Sequence, residues 1–336
     1  MLRIFSFFLL TTIIACNTNE PADKTVNKRA DFSLLTDDNA ELTYENLQLI
    51  PVKADADFIE AQSSLSGLKN LAEGMKIDRF RITEKKPYGS RDDRDAVNTL
   101  TVQNKSIDTI FLMEGDIVQG GRQDRILAQD MVVPPRTLRD ISVFCVEHGR
   151  WAYKNAESET PIAMTGETAK QYRKIQAFTG YYNVASSQVR RVVQKTNNQQ
   201  AVWNEVNEVR STFNVTSPTQ AYTGLESSPD YTRERDGYLD FFKEKFADSE
   251  DIIGVVAVSN GKILGTDIFG HPALFKKQYK ALIHSYTAEA MAAEKSSTSL
   301  SAKALTLYEK QLLHNFVKSN EGRFVWEGKT VHFTAL

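Results

Sequence analysis

Cysteine is scarce in this sequence, which has two, Cys16 and Cys145, in 336 residues. The five histidines show no His-x-His or His-Glu-x-x-His spacing, so the sequence predicts no metal site and no cofactor. A formal net charge of −2 leaves no basic surplus, which argues against a nucleic-acid partner. Beyond the N-terminal segment, no run reaches the roughly 18 apolar residues of a transmembrane helix.

The N-terminal residues have the pattern of a signal peptide. Arg3 precedes an apolar run from Ile4 to Ile14, which as a helix would span about 16 Å and is too short for a bilayer core of about 30 Å. The run ends in Ile13-Ile14-Ala15-Cys16, which resembles the lipobox of bacterial lipoproteins. The resemblance implies that residues 1–15 are removed and that Cys16 carries the lipid. The alternative is a plain secretory signal in which Cys16 is incidental.

A lipid on Cys16 would make the membrane a partner and place the protein in the bacterial cell envelope, extracytoplasmic, on the periplasmic side or the cell surface. Residues 16–41 are polar and aperiodic, which indicates a flexible tether. Residues 42–336 are predicted as a single α+β unit, with a β-rich part over 42–155 and a helix-rich part over 156–336. No Pro/Gly-rich linker separates these parts.

Short apolar segments between turn residues predict strands in the first part, and their spacing is typical of a sandwich or barrel. The predicted strands are Tyr44 to Val52, Phe80 to Lys85, Thr99 to Asn104, Thr109 to Met113, Ile117 to Val118, Ile126 to Val133 and Ile141 to Val146. Helical periodicity predicts helices over Ser66 to Met75, Ala185 to Phe213 with a break near Asn197, Pro229 to Phe246, Pro272 to Glu294 and Ala302 to Val317. A central strand, Ile252 to Val258, leads through Asn260-Gly261 into a hairpin, and a second hairpin turns at Gly328.

The stretch from Leu112 to Trp151 is the densest in chemically active side chains. Gly120 and Gly121 allow backbone N–H groups to converge on an anion, and Arg122 and Arg125 supply donors suited to phosphate or carboxylate. The alternative is a glycine hairpin with solvated arginines. The segment lacks a P-loop pattern and a dinucleotide fingerprint.

Near the end of this stretch, Cys145 and His148 are predicted to face opposite sides of a strand. This placement argues against Cys145 as a nucleophile that His148 activates as a base. Cys145 is predicted to be a buried apolar residue. Glu147, His148 and Arg150 are candidate ligand-binding residues. A structural ion pair between Glu147 and Arg150 is the alternative.

Three further carboxylates stand out. Glu114 and Asp116 flank a glycine and could bind a hard cation, but a turn explains them without one. Asp267 interrupts an apolar strand before Gly270-His271-Pro272, where it could serve as a base or ligand group, cap the following helix, or lie in solvent. Capping or solvent exposure is the preferred interpretation.

The runs from Glu114 to Arg125 and from Cys145 to Trp151, together with Gly261 to Phe269 and the helix after it, resemble the ARG and rhodanese-phosphatase-superfamily-associated protein domain family. This uncharacterised bacterial family is named for an association with ADP-ribosylglycohydrolases and rhodanese-type phosphatases. The resemblance covers about Leu42 to Ala290. It implies a context of nucleotide or ADP-ribose metabolism and assigns no catalytic residue.

Three functions follow as hypotheses. The first is binding of an anionic small molecule or glycan through Arg122, Arg125 and Arg150, positioned by Glu147. The second is hydrolysis of a phosphate- or sugar-containing substrate, with Glu147, Asp124 or Asp267 as general base. The third is a non-catalytic envelope scaffold.

Overall fold

The computed structural model describes residues 31–36, 41–85, 97–150, 177–296, 298–319 and 321–336. The predicted signal peptide, the predicted lipidation site Cys16, and Trp151 lie outside these ranges. The described residues belong to one compact unit from Asp31 to Leu336. Its strands, numbered in chain order, are β1 Phe32–Leu34, β2 Thr43–Tyr44, β3 Leu47–Ala54, β4 Lys69–Asn70, β5 Phe80–Glu84, β6 Thr99–Asn104, β7 Ile110–Leu112, β8 Asp116–Gly120, β9 Arg125–Leu127, β10 Met131–Val133, β11 Thr137–Cys145, β12 Ala177–Val184, β13 Ile252–Ser259, β14 Lys262–Phe269, β15 Arg323–Trp326 and β16 Lys329–Ala335.

Six antiparallel strands close into a barrel in the order β11-β6-β5-β12-β8-β9. One hydrophobic cluster takes buried side chains from all six strands, which include Ile82, Leu100, Val118, Leu127, Val143 and Phe178. The barrel interior is therefore a packed core, as expected for a small barrel. A three-stranded sheet, β10-β7-β4, adds Ile110 and Val133 to the same cluster.

The second large element is a seven-stranded antiparallel sheet in the order β1-β3-β13-β14-β16-β15, with β2 paired to β3. Every residue of β13 is buried, as its continuous apolar run predicts. The hairpin between β13 and β14 turns at Asn260 and Gly261, whose φ angles of 50° and 71° explain this residue pair. A side chain at Gly254 would place its Cβ 2.2 Å from the carbonyl oxygen of Asp267, so β14 approaches β13 closely here.

Helices cover both faces of this sheet. They are α1 Ala56–Ala61, α2 Leu71–Gly74, α3 Ser187–Thr196, α4 Gln199–Thr212, α5 Pro229–Phe242, α6 Pro272–Ala292 and α7 Ala302–Lys318. Leu305, Leu312 and Phe316 of α7 pack on one face of the sheet. Helix α6 packs on the other face, within the core that also contains α3, α4, α5 and residues of the barrel. In the part of the chain that the structure describes, no helix combines the length and the apolar character that crossing a bilayer requires.

The predicted α+β class, with a barrel-like β-rich part and a helical part containing a few strands, is confirmed. The hairpin at Asn260 and the break between α3 and α4 are also found, with Asn197 in the left-handed region at φ 42°. The helix at Ser228-Pro229 begins as predicted, with the Ser228 hydroxyl accepting the Tyr231 N–H, but it ends at Phe242 rather than Phe246.

Several predicted boundaries were wrong. The predicted tether ends at residue 41, but Phe32 is buried and β1 pairs with β3, so folded structure already includes residues 32–34. Ile126 to Val133 is two strands, because the chain turns over Ala128–Asp130, and Ser66 to Met75 contains β4 before the short α2. The predicted parts also interleave: β12 completes the barrel from beyond residue 155, and β3 pairs with β13.

Candidate functional site

A cleft of about 870 Å³ opens where the end of α3, the turn after β9 and the hairpin of β15 and β16 meet. Its lining mixes carboxylates, amides, two cationic side chains and one aromatic ring. The lining residues are Glu114, Ala128, Gln129, Asp130, Gln194, Lys195, Glu321, Gly322, Arg323, Phe324, Thr334 and Leu336.

Five side chains behind this cleft form a closed loop of interactions, which we call the charge ring. Arg190 donates from both terminal nitrogens to Asp267, at 3.0 and 2.7 Å, and from Nε to Oε2 of Glu114 at 3.3 Å. His332 bonds through Nε2 to Asp267 at 3.0 Å and through Nδ1 to Asp130 at 2.7 Å. The other oxygen of Asp130 accepts the backbone N–H of Glu114 at 2.7 Å, which closes the ring.

Local structure explains how these groups meet. Gly115 has a φ of 90°, and a Cβ there would lie 2.8 Å from the Arg190 side chain, so glycine makes room for the guanidinium group. Asp116 folds the turn by accepting the Met113 N–H at 2.9 Å, and the Tyr181 hydroxyl and the Gln278 amide donate to its other oxygen. The turn interpretation of the Glu114-Gly115-Asp116 segment is therefore confirmed.

Burial and the neighbouring charges together shift the pKa values of Glu114, Asp267 and His332. Loss of hydration raises the pKa of Glu114 from 4.5 to about 7, against the opposing effect of Arg190. Burial would also raise the pKa of Asp267, but the charge and hydrogen bonds of Arg190 and the bond from His332 outweigh it, and that pKa is strongly lowered. Although burial opposes a charged imidazole, the carboxylates of Asp130 and Asp267 raise the pKa of His332 to about 9.

Glu114 is the member of the ring with unused hydrogen-bonding capacity. Its Oε2 accepts from Arg190 and, at 3.2 Å, from the Gln194 amide. Its Oε1 is buried and has no hydrogen-bond partner among the described residues, although Glu114 lines the cleft. A carboxyl group that changes protonation near neutral pH beside a cleft is suited to bind a ligand or to transfer a proton.

The sequence-predicted site forms a different cluster at the barrel end. Arg150 donates to both carboxylate oxygens of Glu147, at 2.9 and 2.6 Å, and to the carbonyl oxygens of Gly121 and Gly120 at 2.8 and 3.4 Å. Asp124 joins this cluster by accepting from Arg150 at 3.3 Å, and its backbone N–H donates to Glu147 at 3.0 Å. The structural ion pair considered for Glu147 and Arg150 is thus present.

Arg125 is fully buried nearby, where it donates to the carbonyl oxygen of Gln123 at 2.8 Å and lies 3.5 Å from Glu84. The backbone N–H of Arg122 donates to the same Glu84 carboxylate at 3.0 Å. Burial would raise the pKa of Glu147, but hydrogen bonds from Arg150 and the Asp124 N–H lower it. The terminal nitrogens of Arg125 and the donors of Arg150 thus serve internal acceptors, whereas the buried Nε of Arg125 has no hydrogen-bond partner among the described residues. Ligand binding at this cluster stays a prediction.

The remaining residues of the Cys145 to Arg150 segment separate in space. Cys145 is 1 % exposed, and burial raises the pKa of its thiol to about 11, in agreement with the predicted apolar role. His148 is exposed and its ring packs against Trp203, with centroids 4.3 Å apart. No catalytic pair forms between Cys145 and His148.

Asp267 is neither a helix cap nor in solvent, so that interpretation was wrong. It is fully buried on β14 because Arg190 and His332 compensate its charge, and His271 instead caps α6 by accepting the Ala273 N–H. Sequence reasoning missed Arg190, His332 and Asp130. The available signal was a charged residue on the apolar face of α3 and a histidine between two apolar residues of β16.

Within the described ranges, no group of three or more histidine, cysteine, aspartate or glutamate side chains is placed to hold a metal ion.

Comparison with known proteins gives one match. The family model of ARPP-1, the ARG and Rhodanese-Phosphatase-superfamily-associated Protein domain, matches residues 38–335. Neither a curated protein nor a solved structure shows significant similarity.

Proposed function

We propose that this chain, which belongs to the ARPP-1 domain family, binds a sugar-containing small molecule in the cleft beside Glu114. The observation that carries the proposal is that Glu114 lines a cleft of about 870 Å³ while its Oε1 atom, buried in the unliganded protein, has no hydrogen-bond partner among the described residues. Such an atom costs free energy in the unliganded protein, and a ligand hydroxyl group can remove that cost.

The other cleft residues support this ligand class. Gln129 and Gln194 offer amide groups, and Asp130 offers a carboxylate, all of which form directional bonds with hydroxyl groups. The ring of Phe324 provides an apolar face, and it is oriented by stacking on Phe111, with ring centroids 6.3 Å apart. Lys195 also lines the cleft and suits a phosphate or carboxylate on the same ligand.

A thermal-shift screen of neutral sugars, amino sugars, sugar phosphates and nucleotide sugars tests this proposal. A ligand that binds only the folded state raises the melting temperature with its concentration. We expect Phe324→Ala to reduce that ligand-induced shift, and Val325→Ala, a change at the exposed neighbouring residue, to leave it unchanged. Absence of any shift across the screen, or equal shifts in both variants, would refute binding at this cleft.

We also propose that the protein is a lipid-anchored, extracytoplasmic component of the cell envelope. The support is the sequence Ile13-Ile14-Ala15-Cys16 after an apolar run. Cys16→Ser should move the protein from the membrane fraction to the soluble fraction. Membrane association that survives this change would contradict lipid attachment.

A second candidate function is hydrolysis of a sugar- or phosphate-containing substrate. It is favoured by the pKa of Glu114, which at about 7 suits a general acid. Glu114→Gln should then lower the rate of the hydrolytic step by about 10²- to 10⁴-fold, the usual contribution of such a group. A turnover rate that this change leaves intact would exclude Glu114 as the acid.

A further inference from the structure

The formal charges of the charge ring are not balanced when Glu114 is ionised. Arg190 and the protonated His332 contribute two positive charges, and Asp267 and Asp130 contribute two negative ones. These four charges cancel. An ionised Glu114 therefore leaves the ring with one net negative charge, in surroundings where the Arg190 and His332 side chains are fully buried.

Charged groups from four elements face Glu114. They are Arg190 from α3, Asp130 from the turn after β9, Asp267 from β14 and His332 from β16. The remaining charged residues of the cleft are Lys195, Glu321 and Arg323. A cation at Glu114 would neutralise the ring without displacing Arg190 from Asp267.

We propose that the cleft takes a ligand carrying a protonated amine, whose ammonium group lies against Glu114 and Asp130. This inference rests on the proposed function and narrows its ligand to an amine-bearing sugar derivative. The geometry supports it, because the buried Oε1 of Glu114 has no hydrogen-bond partner among the described residues, and Glu114 and Asp130 line the same cleft. An ammonium group has three donors and can satisfy both carboxylates at once.

A pH dependence of definite sign follows. The ammonium group requires ionised Glu114, and the pKa of this residue is about 7. The ionised fraction of Glu114 rises from roughly one tenth at pH 6 to roughly nine tenths at pH 8, so the affinity for an alkylammonium ion should rise about tenfold over this range. An alkylamine stays protonated throughout, since its pKa is close to that of lysine, about 10.4.

Methylammonium is a suitable probe, because it carries the charge without any assumption about the sugar. The protonation midpoint of Glu114 would be measured by NMR on full-length protein labelled with ¹³C-glutamate. Titrations in methylammonium chloride and in potassium chloride would be compared at equal ionic strength. The resonance that disappears in Glu114→Gln assigns the signal.

We expect the midpoint to be lower in methylammonium than in potassium, because the bound cation favours the ionised carboxylate. Equal midpoints in the two salts, or a midpoint near 4.5 in both, would overturn the inference. The thermal-shift screen with neutral sugars separates this outcome from failure of the proposed function. If neutral sugars bind and methylammonium has no effect on the midpoint, only the proposed amine group is refuted. If methylammonium lowers the midpoint and no sugar binds, only the proposed sugar ligand is refuted.

Discussion

Replacing Glu114 with glutamine should stabilise the protein at pH 8 and have a much smaller effect at pH 4. The pKa of Glu114 rises from 4.5 to about 7 on folding, mainly because of burial. Between these values the folded state binds more protons than the unfolded state, so the free energy of unfolding falls as pH rises. One pKa unit corresponds to about 1.4 kcal/mol, so the loss attributable to Glu114 is about 3 kcal/mol.

Glutamine keeps the size of the side chain and cannot ionise. The free energy of unfolding of Glu114→Gln, relative to that of the native protein, should therefore rise by about 3 kcal/mol between pH 4 and pH 8. Asp116 also has a pKa raised to about 7 by burial, but its contribution cancels in this difference because both proteins retain it. Urea unfolding at the two pH values measures the difference.

Glu321→Gln provides a matched control, since this exposed carboxylate lines the same cleft and stays hydrated in both states. Its effect on the free energy of unfolding should be small at both pH values. A constant difference between Glu114→Gln and the native protein across this pH range would refute the assignment of a burial-raised pKa to Glu114.

Further predictions concern the buried charges. Arg190→Leu should lower the free energy of unfolding by about 3 to 5 kcal/mol in urea, because it leaves Asp267 buried without its main partner; a loss below about 1 kcal/mol would contradict this. His332 has a pKa raised from 6.5 to about 9, so its stabilising contribution is complete below pH 6.5 and is lost as pH rises through 9. This loss lowers the free energy of unfolding by about 3 kcal/mol between pH 6 and pH 10, and His332→Gln should not show it in unfolding curves at the two pH values. The same decline in the variant would mean that another group causes it. In a Cys16→Ser variant, which leaves Cys145 as the one thiol, this thiol, with a pKa raised to about 11, should react with a thiol reagent at pH 8 only after unfolding, and rapid labelling of the folded variant would refute its burial.

The sequence was most informative where one local signal dominated. Asn260 and Gly261 tolerate positive φ angles, so the hairpin between β13 and β14 was predictable. Pro272 lies at the start of α6, where its missing N–H group costs nothing. The barrel strand β12 gave no such signal, because only Phe178 and Val184 of its eight residues are buried and its pairing with β8 shifts register twice.

The candidate site was harder to predict because long-range contacts assemble it. Arg190 and Asp267 are 77 residues apart in the chain, and a lone arginine in an amphipathic helix usually lies in solvent. Asp267 is a charged residue within an apolar strand, but its partners depend on the pairing of β14 with β16, which places Asp267 beside Thr334. The sequence shows Glu114 and Asp116 as carboxylates on either side of a glycine, but their burial follows only from the packed structure.

Backbone NMR of the protein with the ligand that gives the largest thermal shift tests the central claim most directly. That claim is that the cleft, rather than the cluster of Arg122, Arg125 and Arg150, is the binding site. We predict chemical-shift changes at the amides of Gln129, Lys195 and Phe324, which line the cleft. Changes confined to residues 120–125 and 147–150 would contradict the claim and would place binding at the arginines.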